Sequence, residues 1–356
     1  MLFGSRLAVV SSVLVSTIEA INIPPRTGHY RYQVGINKHV IEHLNANDPT
    51  ASGNVSPSFL ATIFYPTAAY SHGASTPYLN PGLGSLYEAR WNFTPGLLAS
   101  LTSTVQKDAP FLSAGDQTLF STLLFGGGGG GHATECYTIL VSELASHGYT
   151  VVGLDHPWTT PLIEEVYAMR MQDTAVFLDH LPKLAEELEA PFNTSYVGAF
   201  GGSLGGAAAV GSAYDDERIL SAINMDGTFF GRAAVSTSDA DVQKPTLMLG
   251  MEGHTGVNAS LDITWGTFPR WQTDYFRKIL VKGATHRDFS DITFWKTVRG
   301  SVRDAGPING TRQVETMNAI VRAFFDFTLL GIPSPVLDAP SKEFPDLIFH
   351  GRNKPT

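Results

Sequence analysis

The sequence predicts an α/β fold: a mostly parallel central sheet flanked by helices. Three observations carry that expectation. Short β-branched, apolar runs alternate with longer stretches of helical periodicity, the pattern of strands crossed over by helices. No internal repeat and no Pro-, Gly- or Ser-rich linker divides the chain. Two glycine-rich steps each stand directly between a strand-like run and a helix-like one, at 126–131 and 201–206.

Taken in order, YRYQVGINKHVIEHL at 30–44 shows no sustained helical periodicity and reads as the start of an N-terminal hairpin, with SFLATIFYP at 58–66 as the next strand. The short run TLLF ends at Phe125, and a helix follows across 135–149. Then come a strand in TVVGLDHP, a long helix over 162–188, a strand in SYVGAF and a short Gly/Ala helix. Three strand runs, ILSAINMD, KPTLMLGM and RKILVKG, precede a final helix over 314–331. Residues 66–119, rich in Pro, Gly, Ser and aromatic side chains, are long for a plain connection and are expected to form an insertion that lines the pocket or closes over it as a lid. In a sheet of this kind the chemistry lies at the carboxyl ends of the strands.

The chain has 356 residues, 43% of them hydrophobic and 16% charged, enough for a large core. Its 33 acidic and 24 basic residues give a net charge of −9, with the basic ones scattered, so no face is offered to nucleic acid. The opening MLFGSRLAVVSSVLVSTIEA sets Arg6 before an apolar run and ends in Ala20, which marks residues 1–20 as a signal peptide and 21–356 as one catalytic domain. Five N-x-[ST] sequons, at Asn54, Asn92, Asn193, Asn258 and Asn309, agree with secretion as a glycoprotein. No other segment has the roughly 20 uninterrupted apolar residues of a stable membrane span. The single cysteine, Cys136, excludes an intramolecular disulfide and reads as a buried thiol.

The run of six glycines at 126–131 admits two readings. It satisfies G-x-G-x-x-G at Gly126, Gly128 and Gly131, with Asp155 at the end of the next strand, as a dinucleotide site requires. Six consecutive glycines satisfy any glycine pattern, however, and a secreted protein meets little NAD, so Asp155 is expected to shape a pocket beside His156 and Trp158 instead. No cofactor is expected. Equally, His39-Val40-Ile41-Glu42-His43 spells a zinc-peptidase pattern, but that pattern needs a helix to bring both histidines to one face, and none is indicated here. No metal is expected.

The second step decides the chemistry. In SYVGAFGGSLGGAAAV a strand runs directly into Gly201-Gly202-Ser203-Leu204-Gly205, a G-x-S-x-G motif at a strand-to-helix joint. Such a serine sits on a sharp turn, and side chains at the flanking positions would collide with neighbouring elements. Its hydroxyl needs a base, itself oriented by a carboxylate. Downstream lie His254, His286 and His350. His286 follows the RKILVKG strand by a few residues and is the expected base; His254 comes too early for the last strand, and His350 falls in a polar tail. Two carboxylates qualify as the acid, Asp226 and Glu252, each at the end of a strand after Ser203.

These residues resemble the α/β-hydrolases, and more narrowly the platelet-activating-factor acetylhydrolase group with its fungal secreted relatives. The resemblance runs from about Tyr30 to Gly331 and rests on ELASHGYTVVGLDHP, GGSLGG, NMDG and the H-x-D-F-S-D loop from His286 to Asp291. It implies that the acid is Asp226, with Glu252 the alternative. It also implies oxyanion donors from the N–H of Leu204 and from the glycine loop at Gly130, where relatives usually carry Ser-Pro-Gly or Ser-His-Gly and this chain has only glycine. The implied activity is a secreted serine carboxylic-ester hydrolase acting on lipid-like or other small esters. A broad carboxylesterase or polyester hydrolase would share the chemistry, and an inactive hydrolase used as a binding module would share the fold.

Overall fold

The computed structural model describes residues 20–31, 33–45, 53, 56–70, 76–112, 120–129, 133–156, 163–256 and 262–351. Among them run β1 (Ile21–Asn22), β2 (Val34–Asn45), β3 (Ser56–Pro66), β4 (Thr76–Pro77), α1 (Pro81–Trp91), β5 (Leu101–Ser103), β6 (Gln106–Lys107), β7 (Phe120–Gly126), α2 (Thr138–Ser146) and β8 (Thr150–Asp155). They continue with α3 (Ile163–Glu187), β9 (Phe192–Gly202), α4 (Leu204–Asp215), β10 (Ile219–Met225), β11 (Thr246–Met251), α5 (Thr264–Thr267), β12 (Phe276–Val281), α6 (Ile292–Arg299), α7 (Gly310–Leu330) and β13 (Leu347–His350).

The main sheet has the order β13-β12-β11-β10-β9-β7-β8-β3-β2-β6. From β8 to β12 every neighbouring pair is parallel, whereas β13, β3 and β2 are added antiparallel. Hydrophobic side chains alternate between two cores, as the two faces of a covered sheet demand. Phe125, Phe200, Ile223, Leu247 and Ile279 face α2 and α7, while Leu124, Ala199, Ala222, Met248 and Leu280 face α3 and α4. This is the α/β-hydrolase fold, and it brings the carboxyl ends of β7, β9, β10, β11 and β12 to one edge. No helix of the described residues is long and apolar enough to cross a membrane.

The helix and strand runs read from the sequence all appear, with two differences, and the expected hairpin at 34–66 forms from β2 and β3. Residues 66–119 hold α1 and the short strands β4, β5 and β6; β4 and β5 join β1 in a separate three-stranded sheet. The tail around His350 is not a loose polar end: it forms β13, paired antiparallel with β12 through Lys278 opposite His350. The stretch at 34–45 is a strand, in which His39 and His43 share a face with buried Ile41 while Glu42 points the other way among exposed Val40 and Leu44. Period-two alternation therefore separates the carboxylate from the histidines.

Candidate active site

Ser203 stands between β9 and α4 with φ 54° and ψ −124°, a conformation that costs about 1–3 kcal/mol and persists only where its surroundings enforce it. Its N–H donates to Met225 O at 2.8 Å and its carbonyl accepts from Ala207 N at 3.1 Å. The glycines leave room for the turn. A Cβ on Gly201 would lie 2.4 Å from Gly126 O, and one on Gly205 would lie 2.1 Å from the same atom, so β7, β9 and α4 meet backbone to backbone. Leu204 opens α4 directly after the serine, and its N–H is among the first amides that a helix leaves without an intrahelical partner.

The glycine loop is held from behind. The guanidinium of Arg170, on α3 and only 6% exposed, donates to the carbonyls of Gly127 and Gly128, and the N–H of Gly128 donates to Tyr137 Oη at 3.2 Å. A trans peptide is planar, so fixing the Gly128 carbonyl toward Arg170 turns the N–H of Gly129 to the opposite side. Gly129 lies on the cleft, with a Cβ position 3.7 Å from the Leu204 side chain. Gly130 is outside the described residues; within them, Gly129 is the loop amide beside Ser203. Asp155, expected to shape the pocket, instead accepts from the N–H and hydroxyl of Thr134 at 2.7 and 2.9 Å and so caps the turn that leads into α2. The buried pocket-side partner is His156, whose Nδ1 lies 2.6 Å from Asp173.

Asp226 follows β10 with φ 59°, and its side chain is fully buried. Its Oδ2 lies 2.7 Å from His286 Nδ1, and its Oδ1 accepts from Met251 N at 2.9 Å. Glu252 turns elsewhere: its carboxylate accepts from Gly283 N at 3.0 Å on the surface. Of the two candidate acids, Asp226 is therefore the one in contact with His286. Burial opposes ionisation of Asp226, but the hydrogen bonds from His254 and His286 outweigh it and hold the carboxyl below its ordinary range.

His254, set aside in the sequence as too early, is thus part of this cluster. Its Nδ1 lies 2.9 Å from Asp226 Oδ1, its Nε2 lies 3.0 Å from Asp262 Oδ2, and its ring stacks on Trp265 with centroids 3.9 Å apart. The signal was present: GMEGH puts His254 just past the end of β11, the same strand end that made Glu252 a candidate.

His286 opens a turn that the H-x-D-F-S-D motif anchors. Asp288, fully buried, accepts from the N–H and hydroxyl of Thr285, from Thr293, from Gly306 N and from the ammonium of Lys296. Asp291, also buried, accepts from Tyr78 Oη at 2.7 Å and from Ile139 N at 3.0 Å. Burial pushes its carboxyl up to about 8. The two aspartates of the motif are thus fixtures of the histidine loop, and Tyr78 ties that loop to the 66–119 insertion.

Two adjoining recesses, of about 540 and 480 Å³, share Gly129, Ser203, Met251 and His286. One is walled by Arg90 of α1 and by Arg287, the other by Ile163, Leu204 and Phe230. The side chain of His286 is 50% exposed at their junction. A half-buried serine on an enforced turn and an imidazole tied to a buried carboxylate can together carry out acyl transfer. Of the five sequons, Asn92 and Asn309 are exposed and Asn193 is half-buried; Asn54 and Asn258 lie outside the described residues.

The family described as platelet-activating factor acetylhydrolase, isoform II, matches residues 162–327, the stretch that holds Ser203, Asp226 and His286. The chain is 28% identical over 298 residues to a probable 1-alkyl-2-acetylglycerophosphocholine esterase of Arthroderma benhamiae, covering 72% of this chain and 74% of that protein. Its fold is that of a ferulic acid esterase from Streptomyces cinnamoneus, with a TM-score of 0.77 at 24% identity over 93% of this chain and 100% of the other. The chain has the α/β-hydrolase fold, is similar to the platelet-activating-factor acetylhydrolase group, and is a carboxylic ester hydrolase.

Proposed function

We propose that this carboxylic ester hydrolase is a secreted serine esterase in which Ser203, His286 and Asp226 form the catalytic triad. The observation that carries the reading is the 2.7 Å contact between His286 Nδ1 and Asp226, beside a serine on a strained strand-to-helix turn lining the same cleft. With its Nδ1–H donated to Asp226, His286 presents Nε2 as the base. Ser203 Oγ attacks the ester carbonyl as its proton passes to Nε2. The tetrahedral oxyanion is received by the N–H of Leu204 and by a glycine-loop amide at Gly129 or Gly130. His286 returns the proton to the leaving alcohol, and water then reverses the sequence to release the acid. Each fixed oxyanion donor is worth about 3 kcal/mol in the transition state.

For the substrate, the similarity to a phospholipid esterase and the composition of the cleft point the same way. Arg90 and Arg287 line one recess together with Asp304, which pairs with Arg287 at 3.6 Å and leaves one net positive charge to meet a phosphate, and Ile163, Leu204 and Phe230 offer an apolar wall to a short acyl chain. The proposed substrates are glycerophospholipids with a short or oxidised acyl ester. Secretion rests on the signal-like residues 1–20 and on the sequons. A fluorophosphonate probe tests the core: the active protein labels at Ser203, and Ser203→Ala loses both label and turnover. An active Ser203→Ala variant sinks the triad. Hydrolysis of short-acyl phospholipids beside simple p-nitrophenyl esters tests the substrate class, and the N-terminus of the secreted protein, expected just after Ala20, tests the export.

A further inference from the structure

The carboxylate of Asp226 serves two histidines. His286 lies on its Oδ2 and His254 on its Oδ1, at 2.7 and 2.9 Å, and the far nitrogen of His254 meets a second carboxylate, Asp262, at 3.0 Å. An ionised carboxylate only accepts hydrogen bonds. A ring whose two nitrogens both face carboxylate oxygens satisfies them only when both nitrogens carry protons, which makes it an imidazolium. Asp262 is held in place for this role: its other oxygen accepts from the N–H and hydroxyl of Thr264 at 2.9 and 2.6 Å. The ring itself is clamped flat on Trp265 and is 7% exposed.

We propose that His254 is a positioning residue of the triad: a buried imidazolium between Asp226 and Asp262 that fixes Asp226 and offsets one of the two carboxylate charges in the cluster that His286 faces. The proposal rests on the triad reading above. Among the described residues, the titratable and charged groups facing His254 are these. Asp226 faces it from the end of β10 and Asp262 from the segment before α5. Lys278 of β12 packs on Trp265, its ammonium 5.8 Å from the Trp265 ring centroid, donating to Thr255 O and Trp265 O. His286 stands across Asp226, and Glu252 is turned to Gly283. Burial favours a neutral His254, but its bonds to the two carboxylates outweigh burial and hold it above the ordinary imidazole value.

The consequence is a charge count. Asp226, His254 and Asp262 together carry −1, and His286 gains its proton against that −1. Without the imidazolium the same cluster would carry −2, which would favour protonated His286 and make the base unavailable at a higher pH.

The test is the acid limb of kcat/KM, which reports the base of the free enzyme. In His254→Gln, which keeps polar contacts but loses the charge, the limb is expected to move up by roughly one to two pH units, the effect of one charge about two hydrogen bonds away. In His254→Gln/Asp262→Asn the cluster again carries −1, and the limb is expected to return to within roughly 0.3 unit of wild type. A merely structural role for His254 would not produce that return. In the unaltered protein, nitrogen-15 spectra at pH 7.5 are expected to show both ring nitrogens of His254 protonated, a readout that does not depend on the variants folding. An unmoved limb in the folded single variant, a double variant that stays with the single one, or a neutral His254 at pH 7.5 each overturns the proposal. Ser203→Ala measured alongside separates the two readings: if it is inactive while His254→Gln keeps the wild-type limb, only the role of His254 fails.

Discussion

Arg170 offers the sharpest test of how the glycine loop is made to work. Nothing in a run of glycines holds its amides in one direction, and each glycine adds backbone freedom that must be lost on ordering. In the structure the restraint comes from α3, where the Arg170 guanidinium takes both the Gly127 and Gly128 carbonyls. Hydrogen bonds from a charged donor contribute about 1.5–3 kcal/mol each, enough to select one loop conformation among many. Arg170→Met keeps most of the volume and removes both donors. The peptide carrying the Gly128 carbonyl is then free to turn, and the Gly129 amide in the same plane turns with it. The ceiling on the loss is the worth of one oxyanion donor, about 3 kcal/mol, because the Leu204 amide is held independently by α4. We expect kcat on a soluble acetyl ester to fall about 100-fold with KM little changed. Stability should fall as well, by about 1–3 kcal/mol for the Gly127 and Gly128 carbonyls left without their donor, a loss offset in part because burial already disfavours the guanidinium and pushes it down to about 10. A folded Arg170→Met enzyme with wild-type kcat would refute the argument that this side chain orients the loop.

Asp226→Asn should lower kcat about 10⁴-fold by presenting the wrong tautomer of His286, while Glu252→Gln leaves kcat near wild type; steady-state kinetics on the pair decides which carboxylate acts. Gly205→Ala would put a Cβ 2.1 Å from Gly126 O and 2.6 Å from Gly127 O, so it should destabilise the fold by about 1–3 kcal/mol in denaturant titrations and displace the glycine loop, lowering kcat as well. Asp291 has a folded pKa of about 8, raised above its unfolded value, so its contribution is fully present below about pH 4 and is lost as pH rises toward 8. Stability should therefore fall between pH 5 and 7.5 by no more than about 1.4 kcal/mol per unit from this group, and Asp291→Asn, which keeps an acceptor for Tyr78 and Ile139, should flatten that slope in chemical denaturation.

The α/β class, the succession of the main strands and helices along the chain and the strand-to-helix turn at Ser203 could all be read from local pattern. Apolar periodicity and glycine placement are properties of neighbouring residues, and a serine flanked by Gly201, Gly202 and Gly205 after a strand admits few backbone shapes. His286 was legible for a similar reason, through its position just past a strand. The insertion was less legible. Strands of two or three residues such as β4 and β5 have no period to detect, and β13 is a strand because β12 offers it an edge, not because its sequence alternates.

What only the tertiary structure decided is which distant groups share a proton or a carbonyl. The choice of Asp226 over Glu252 as the partner of His286, the double use of Asp226 by His254, and the grip of Arg170 on the glycine loop join residues from separate elements of the chain. None has a signature in spacing, because a hydrogen bond depends on a separation of about 3 Å in space. That separation is set by strand order and helix packing. The amino-acid sequence by itself determined that a serine would stand on a strand-to-helix turn at the edge of a covered sheet; the packing of β10, β11, β12 and α3 decided which side chains surround it.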